Sequence, residues 1–175
     1  MFNSAFNGLS GNRDDYYPEP LRAEIDALNE RIYKTINNGV YRSGFATSQG
    51  AYERAVSEVF DSLDWLEDRL SARRYLAGDQ VTEADWRLLP TLLRFDPVYH
   101  GHFKCSRNRL VDFPSLWGYA RELYQWPGVA GTVNFDHIRR HYHYSHAGVN
   151  PHRIVPLAPA IDWAESHGRD WLAAA

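Results

Sequence analysis

The sequence has 175 residues, of which 44% are hydrophobic and 14% aromatic, and its formal net charge at pH 7 is −3. This composition excludes a disordered tail, and a chain without a basic excess is a poor match to nucleic-acid phosphates. No run of about 18 apolar residues is present to cross a membrane. The single cysteine, Cys105, cannot form an internal disulfide and fits a reducing compartment, so we expect one domain in the cytoplasm.

The first part of the chain predicts a lead-in followed by two amphipathic helices. Residues 12–15 are polar and prolines follow at 18 and 20, which predicts an irregular lead-in over 1–20. Apolar residues recur at helical spacing over 21–36, and the Asn-Asn-Gly tripeptide at 37–39 predicts a helix end with left-handed backbone. Ser48 then predicts the N-cap of a long helix over 49–71, whose apolar stripe opposes a charged face.

The strongest local pattern predicts the start of a central helix. Thr82 and Asp85 have the spacing of a capping box, with aspartate in place of the usual glutamate or glutamine. The leucines that follow make this helix apolar on most sides; they are Leu88, Leu89, Leu92 and Leu93. A helix with an apolar surface all round is expected in the middle of a bundle.

The rest of the chain predicts a loop, two more helices and an extension. Residues 96–111 are rich in histidine, lysine and arginine and predict the loop. Helices are predicted over 114–126, where Pro114 opens the segment, and over 134–145. The proline-containing remainder is expected to be extended, with one short helix near 160–167. Because no segment alternates with period two over a convincing length, the sequence predicts an all-α fold.

The order of these elements resembles the helical C-terminal domain of the glutathione transferases. Several separated stretches resemble one branch of that family more closely, the Xi class or glutathionyl-hydroquinone reductases. These stretches are residues 37–46, 94–99, 102–105, 136–139, 141–142, 145–146 and 150–151. The resemblance implies a glutathione-transferase C-terminal-like helical bundle over 21–147, with an interdomain linker over 1–20 and a C-terminal extension over 148–175.

In this family a thioredoxin-like domain precedes the helical domain, binds glutathione and carries the nucleophilic cysteine in a Cys-Pro pair. This sequence begins where that domain would end and contains no Cys-Pro pair. The resemblance therefore implies the quinone-side and dimerisation half of a reductase, inactive or nearly so by itself. The other half would come from a separate thioredoxin-like chain, or the chain is truncated, either naturally or through a start codon assigned too far downstream.

The resemblance assigns supporting catalytic roles to tyrosines of the helical domain. Tyr41 and Tyr142 stand in the two contexts from which the family's tyrosines reach the active site, and Tyr99 would line the same cleft as a substrate-binding residue. A phenol can donate a hydrogen bond to an oxygen of a quinone or hydroquinone. From periodicity alone, the alternative is that Tyr41 and Tyr142 are core aromatics with bonded hydroxyls.

Cysteine and histidine residues supply two further hypotheses. Cys105 follows Lys104, and a nearby cation favours a thiolate, but the family's catalytic cysteine belongs to the other domain, so we expect a structural thiol. His137 and His141 have the i, i+4 spacing that places two imidazoles on one helix face. Neither a His-Glu-x-x-His motif nor a cysteine pair accompanies them, so we expect a polar cluster near the cleft and no metal.

Two functions from different classes follow. The first is a glutathione-dependent reductase, a homodimer that acts on a glutathionyl-hydroquinone with glutathione as co-substrate. The second is a non-catalytic helical domain that dimerises or binds aromatic small molecules in the residual cleft. The chemistry distinguishes them, because tyrosines can polarise a substrate but cannot accept the glutathionyl sulfur without a positioned thiolate.

Overall fold

The computed structural model describes residue 3, residues 5–11 and residues 13–172. Within those ranges every regular element is helical, and the β-type pairing is limited to an isolated bridge between Tyr75 and Gly78. The all-α prediction is confirmed. The described α-helices are α1 (Asn7–Ser10), α2 (Arg22–Arg31), α3 (Gly39–Gly44), α4 (Gln49–Ala72), α5 (Glu83–Arg94), α6 (Pro114–Tyr124) and α7 (Phe135–Ser145). None of them is long and apolar enough to span a bilayer.

The lead-in is more regular than the sequence predicted. It contains α1 and a 3-10 turn over Glu19–Leu21, and it is fastened to the start of α5. The carbonyl of Tyr16 accepts from the amide of Glu83 at 2.8 Å, and the Tyr16 ring meets the edge of Trp86 with centroids 6.1 Å apart. The division of the chain at residues 20 and 147 stays a prediction.

The first helical segment ends at Asn37, at the Asn-Asn-Gly tripeptide as predicted, but the left-handed backbone expected there is wrong. After α2 the chain continues as a π-helical segment over Ile32–Asn37, and Asn38 keeps an ordinary right-handed backbone with φ −86° and ψ −25°. Gly39 serves close packing instead, because a Cβ at this position would lie 2.8 Å from Cγ2 of Val59. The absence of a side chain at Gly39 thus lets the start of α3 pack closely against α4.

The predicted helix starts at Ser48 and Thr82 are confirmed. The Ser48 hydroxyl accepts from the amide of Ala51 at 3.3 Å, and Thr82 forms the predicted capping box with Asp85. The buried Asp85 carboxylate accepts from the Thr82 amide at 2.7 Å and from the amide of Leu76 at 2.9 Å. The start of α5 is therefore fixed at the centre of the core.

The segment after α5, predicted as a loop over 96–111, is partly helical. A π-helical segment over Phe95–Tyr99 continues α5, and a 3-10 turn covers Leu110–Asp112. The carboxylate of Asp96 accepts from the amides of Leu110 at 2.5 Å and Val111 at 3.3 Å, which ties the two ends of the segment together. These two hydrogen bonds join residues 14 and 15 positions apart in the chain. Tyr99 is the last residue of the π-helical segment.

The C-terminal extension contains no helix among residues 148–172, so the short helix predicted near 160–167 is wrong. A helix of that length is marginal without tertiary support. Here the contacts of Trp163 and Arg169 fix a different path, since the Trp163 ring packs on Trp117 with centroids 4.7 Å apart. The buried Arg169 guanidinium donates to Glu122 and to four backbone carbonyls, those of Leu70, Arg73, Arg74 and Ser115.

Candidate functional site

Three tyrosines from separate parts of the chain meet through their hydroxyl groups, and we call Tyr41, Tyr99 and Tyr142 the tyrosine set. Tyr41 lies on α3, Tyr99 ends the continuation of α5, and Tyr142 lies on α7. The Tyr142 oxygen is 2.5 Å from the Tyr41 oxygen and 2.9 Å from the Tyr99 oxygen. The fold thus brings together the three tyrosines that the sequence singled out, as a short chain of hydrogen bonds.

Burial decreases along this chain of hydroxyls. Tyr99 is 2% exposed and Tyr142 is 6% exposed, whereas Tyr41 is 38% exposed. The tyrosine set therefore has a closed end in the core and an open end at the surface. A ligand oxygen that approaches from solvent would meet Tyr41 first.

The inner two phenols remain protonated at neutral pH. Burial raises the pKa of Tyr142 to about 12, with a further contribution from its hydrogen bond with Tyr41. Burial also raises the pKa of Tyr99 above its ordinary value, and the bond with Tyr142 adds to the shift. Each hydroxyl carries one proton, so the set can donate in sequence from Tyr99 to Tyr142 to Tyr41 and onward to an acceptor. Such hydrogen-bond chains polarise one another when they point the same way.

Two phenylalanines surround the tyrosine set, and neither was predicted as a functional residue. The ring of Phe103 is 5.2 Å from that of Tyr41 and stacks on Tyr99 with centroids 5.5 Å apart. Gly44 makes room for it, because a Cβ there would lie 2.1 Å from Cδ1 of Phe103. The half-exposed Phe45 stacks beside Tyr41 at 6.5 Å, which gives the open end an aromatic surface. Both phenylalanines lie within family-like stretches, which was the signal available in the sequence.

The histidines gather in a different combination from the one that spacing suggested. His137 and His141 lie on exposed positions of α7. His102, His143 and His146 meet instead, with His102 Nε2 3.2 Å from His146 Nδ1 and the His102 and His143 ring centroids 4.6 Å apart. Within the described ranges no group of three or more histidine, cysteine, aspartate or glutamate side chains is placed to hold a metal ion.

Cys105 is inaccessible in the core beneath this site. Its side chain is fully buried, and burial raises the pKa of the thiol to about 12. Its Sγ lies 3.9 Å from the carbonyl of Phe103, a weak donor contact. An attacking sulfur must be an accessible thiolate, so this environment favours a structural role for Cys105.

A groove of about 490 Å³ runs between α5 and α7. Trp86, Leu89 and Leu93 form its apolar wall, and Arg94 and His137 contribute polar groups. The positive charge of Arg94 opposes the upward shift in the pKa of Tyr142, so the groove and the tyrosine set are electrostatic neighbours. The groove therefore comes near the tyrosine set at Tyr142, through Arg94.

Comparison with known proteins supports the class of fold. Residues 49–122, from the start of α4 to the last turn of α6, match the family described as the glutathione S-transferase C-terminal domain. The chain thus has the fold of a glutathione-transferase C-terminal-like helical bundle, as its sequence implied.

More specific similarity is to glutathionyl-hydroquinone reductases. The chain is 56% identical over 170 residues to glutathionyl-hydroquinone reductase YqjG of Escherichia coli K12, which covers 97% of this chain and 52% of the relative. The glutathione-bound structure of YqjG superimposes with a TM-score of 0.94, over 97% of this chain and 55% of that one. A Xi class glutathione transferase from Natrialba magadii gives a TM-score of 0.95 at 48% identity, over 98% and 53%. The chain spans about half the length of these relatives.

Proposed function

We propose that this chain forms the hydroquinone-binding side of a glutathionyl-hydroquinone reductase, with Tyr41, Tyr142 and Tyr99 as hydrogen-bond donors toward the ring oxygens of the substrate. The similarity to reductases of that name supports the reaction class. The observation that carries the proposal is the hydroxyl chain itself, which is buried at Tyr99 and open at Tyr41. The exposed phenol of Tyr41, beside the half-exposed Phe45, leaves a hydrogen-bond donor within reach of a ligand.

In the proposed reaction, a cysteine thiolate of a thioredoxin-like domain attacks the sulfur of the glutathionyl group. The bond between that sulfur and the ring carbon breaks, and its electron pair passes to the ring, which takes up a proton and leaves as the hydroquinone. The cysteine and glutathione remain as a mixed disulfide. A second glutathione, the co-substrate, then displaces the cysteine thiolate and leaves as glutathione disulfide.

The tyrosine set acts where negative charge develops during this step. Electron density that moves into the ring reaches its oxygens, and a preorganised donor stabilises that charge. Tyr41 is placed to donate from the open end, and Tyr142 and Tyr99 reinforce it from behind. Because burial holds the pKa of Tyr142 at about 12, the inner phenol donates a hydrogen bond without losing its proton near pH 7.

The 175-residue polypeptide is expected to be inactive, or nearly so, when it is assayed alone. Cys105 is the single cysteine of the sequence and its thiol is buried, so no thiolate is available to accept the glutathionyl sulfur. The assay supplies glutathione and glutathionyl-1,4-benzohydroquinone and follows hydroquinone release. Turnover that disappears in Cys105→Ser would contradict this expectation and make Cys105 the nucleophile.

The catalytic proposal is tested by grafting this chain onto the first half of YqjG, in place of the region to which it is 56% identical. Tyr142→Phe removes the central hydroxyl and is expected to lower kcat by about tenfold or more, the value of one lost hydrogen bond to developing charge. Tyr144→Phe is the matched control, because Tyr144 lies on the same helix and is 57% exposed.

Equal turnover in the Tyr142→Phe and Tyr144→Phe chimaeras would refute a catalytic role for the tyrosine set. Binding of 1,4-benzohydroquinone to the chain, weakened by Tyr142→Phe and without turnover in the chimaera, would favour the non-catalytic aromatic-binding function. The proposed protein is a homodimer, and sedimentation of the chain and the chimaera tests that part separately.

A further inference from the structure

A histidine pair joins the two segments that bring Tyr99 and Tyr142 together. His102 follows Tyr99 by three residues, and His146 caps the C-terminal end of α7, one turn beyond Tyr142. The two imidazoles are joined by the 3.2 Å contact between His102 Nε2 and His146 Nδ1. The pair therefore bridges positions 44 residues apart in the chain.

The histidine pair also touches the aromatic rings around the tyrosine set. His146 stacks on Phe103 with centroids 5.7 Å apart and meets the Tyr142 ring at 5.4 Å in an edge-to-face arrangement. It also meets the edge of Phe45 at 5.1 Å. Phe103 contacts all three tyrosines, so a movement of His146 is expected to shift the Phe103 ring.

We propose that the His102–His146 hydrogen bond is a positioning device for the tyrosine set. While both imidazoles are neutral it keeps the three tyrosines hydrogen-bonded to one another, which we call the closed arrangement, and it releases them when the pair becomes protonated. The proposal rests on the function proposed above for the tyrosine set. His102 and His146 are positioning residues in it, since they act on a ligand only through Phe103 and Tyr142.

The chemistry of the bond makes it sensitive to protonation. One neutral imidazole donates its N–H and the other accepts at a bare ring nitrogen. A single added proton leaves one acceptor, but it places a positive charge in a buried position. Two added protons leave an N–H on each facing nitrogen and two like charges in contact, so the hydrogen bond is lost. The two rings titrate as a coupled pair.

The charged groups around the pair all oppose protonation. Lys104 lies on the segment that carries His102, and α7 contributes His141 and His143, while Arg139 acts on His143. From α3 the pair meets the uncharged ring of Phe45. Burial, followed by the neighbouring histidines and Lys104, lowers the pKa of His102 to about 4. Burial lowers the pKa of His146 as well, with a contribution from His141.

The sign of the pH dependence follows from these shifts. A histidine with a lowered pKa binds fewer protons in the closed state than in an open or unfolded one. The closed arrangement is thus fully favoured above the ordinary histidine pKa of about 6.5. It loses stability as the pH falls from there toward the lowered value. We expect the tyrosine set to be closed at neutral pH and to open in acid.

The first test is an NMR titration of the 175-residue chain from neutral pH into acid, with the histidine and tyrosine rings labelled. The ring signals of Tyr99 and Tyr142 are expected to shift in the same step as the His102 ring, with a midpoint of about 4. Tyrosine signals that stay constant while His102 titrates would overturn the proposal, and this comparison needs no variant.

Variants separate the pair from the carboxylates that also titrate in acid. Glutamine can donate and accept but does not titrate, so His102→Gln is expected to keep the Tyr142 signal at its neutral-pH position and abolish the acid step. His137→Gln, an exposed change on α7, the helix that His146 caps, is expected to retain the step. An acid step that persists in both His102→Gln and His146→Gln would also overturn the proposal.

These outcomes remain distinguishable from the fate of the proposed function. The titration needs no ligand and no turnover, so it can succeed even if Tyr142→Phe leaves the chimaera fully active. Conversely, a failed titration beside a strong Tyr142→Phe effect would leave the tyrosine set in its catalytic role without a histidine device.

Discussion

Tyr119 and Tyr142 are both buried tyrosines, but their hydroxyls are satisfied in different ways. The Tyr119 hydroxyl donates to the carboxylate of Asp85 at 2.7 Å, and that carboxylate also accepts from two backbone amides and the Thr82 hydroxyl. The Tyr142 hydroxyl instead lies between two other hydroxyls, and its chain ends at the partly exposed Tyr41. One cluster is saturated by the protein, and the other is left open.

The first cluster stabilises the fold, whereas the second keeps a hydrogen-bond donor that a ligand can use. Burial raises the pKa of Asp85, yet four protein donors converge on its two oxygens and hold it in place. Such a network fixes the position of α5 and has no remaining capacity for a ligand. In the tyrosine set a proton donor remains for an outside acceptor, so recognition by the set does not require breaking the core.

The largest expected effect comes from breaking the saturated cluster. Asp85→Ala leaves the Tyr119 hydroxyl and the amides of Leu76 and Thr82 buried without their acceptor. We expect the free energy of unfolding to fall by about 4 kcal/mol, because each buried group left unpaired costs about 1–3 kcal/mol. Urea denaturation measures the change.

Asp112→Ala is the matched control for this prediction. Asp112 also accepts from the amide three residues before it, that of Arg109 at 2.8 Å, but its carboxylate lies at the surface, where water can replace it. We expect a much smaller loss. Equal losses of unfolding free energy for the two variants would contradict the view that the Asp85 network stabilises the protein because it is buried.

A second, smaller effect is expected at the anchor of the C-terminal extension. Arg169 donates to Glu122 and to four carbonyls, and its replacement by methionine removes all of these bonds while Glu122 keeps Arg74 and Tyr75. We expect the free energy of unfolding to fall by about 3 kcal/mol. Urea denaturation tests this value.

The control for the anchor is Arg153→Met, in the same extension. Arg153 lies at the surface over the ring of Tyr144, and its loss should change stability by less than about 0.5 kcal/mol. A proteolysis assay adds a local readout. If the Arg169→Met change releases the C-terminal extension, the protease should cut that extension faster than it does in the unchanged chain. Unchanged proteolysis beside a large global loss would mean that Arg169 stabilises the core without fastening the extension.

The features that sequence could predict are those that depend on neighbours along the chain. The capping box of Thr82 and Asp85 is decided within four residues, and the stripe of α4 by a repeating spacing. Gly39 was misassigned because its role is a contact with Val59 on another helix. The helix predicted near 160–167 failed for the same reason, since Arg169 is held by carbonyls about 95 to 99 residues earlier.

The candidate site followed a similar division. Periodicity left Tyr41 and Tyr142 as ordinary core aromatics, and only the resemblance of their surroundings selected them. No local rule joins His102 to His146, whereas the i, i+4 rule drew attention to His137 and His141, which lie at the surface. A hydrogen bond across 44 residues is decided by how α7 packs, and that information is not contained in either segment alone.

The smallest structural change concerns Cys105. The reaction rate of its thiol measures how easily a small reagent reaches the core beside the tyrosine set. With its side chain fully buried and its pKa at about 12, the thiol should react with iodoacetamide at least about a hundredfold more slowly in the folded chain than in urea. Ser106→Cys in a Cys105→Ala background places a thiol one residue away at an exposed position, and it should react at the rate of a free cysteine. Folded Cys105 reacting as fast as that control would show that the core beneath the tyrosine set opens readily. Slow reaction of Cys105 beside fast reaction of the control would mean that the thiol the proposed chemistry requires is not the one this chain contains.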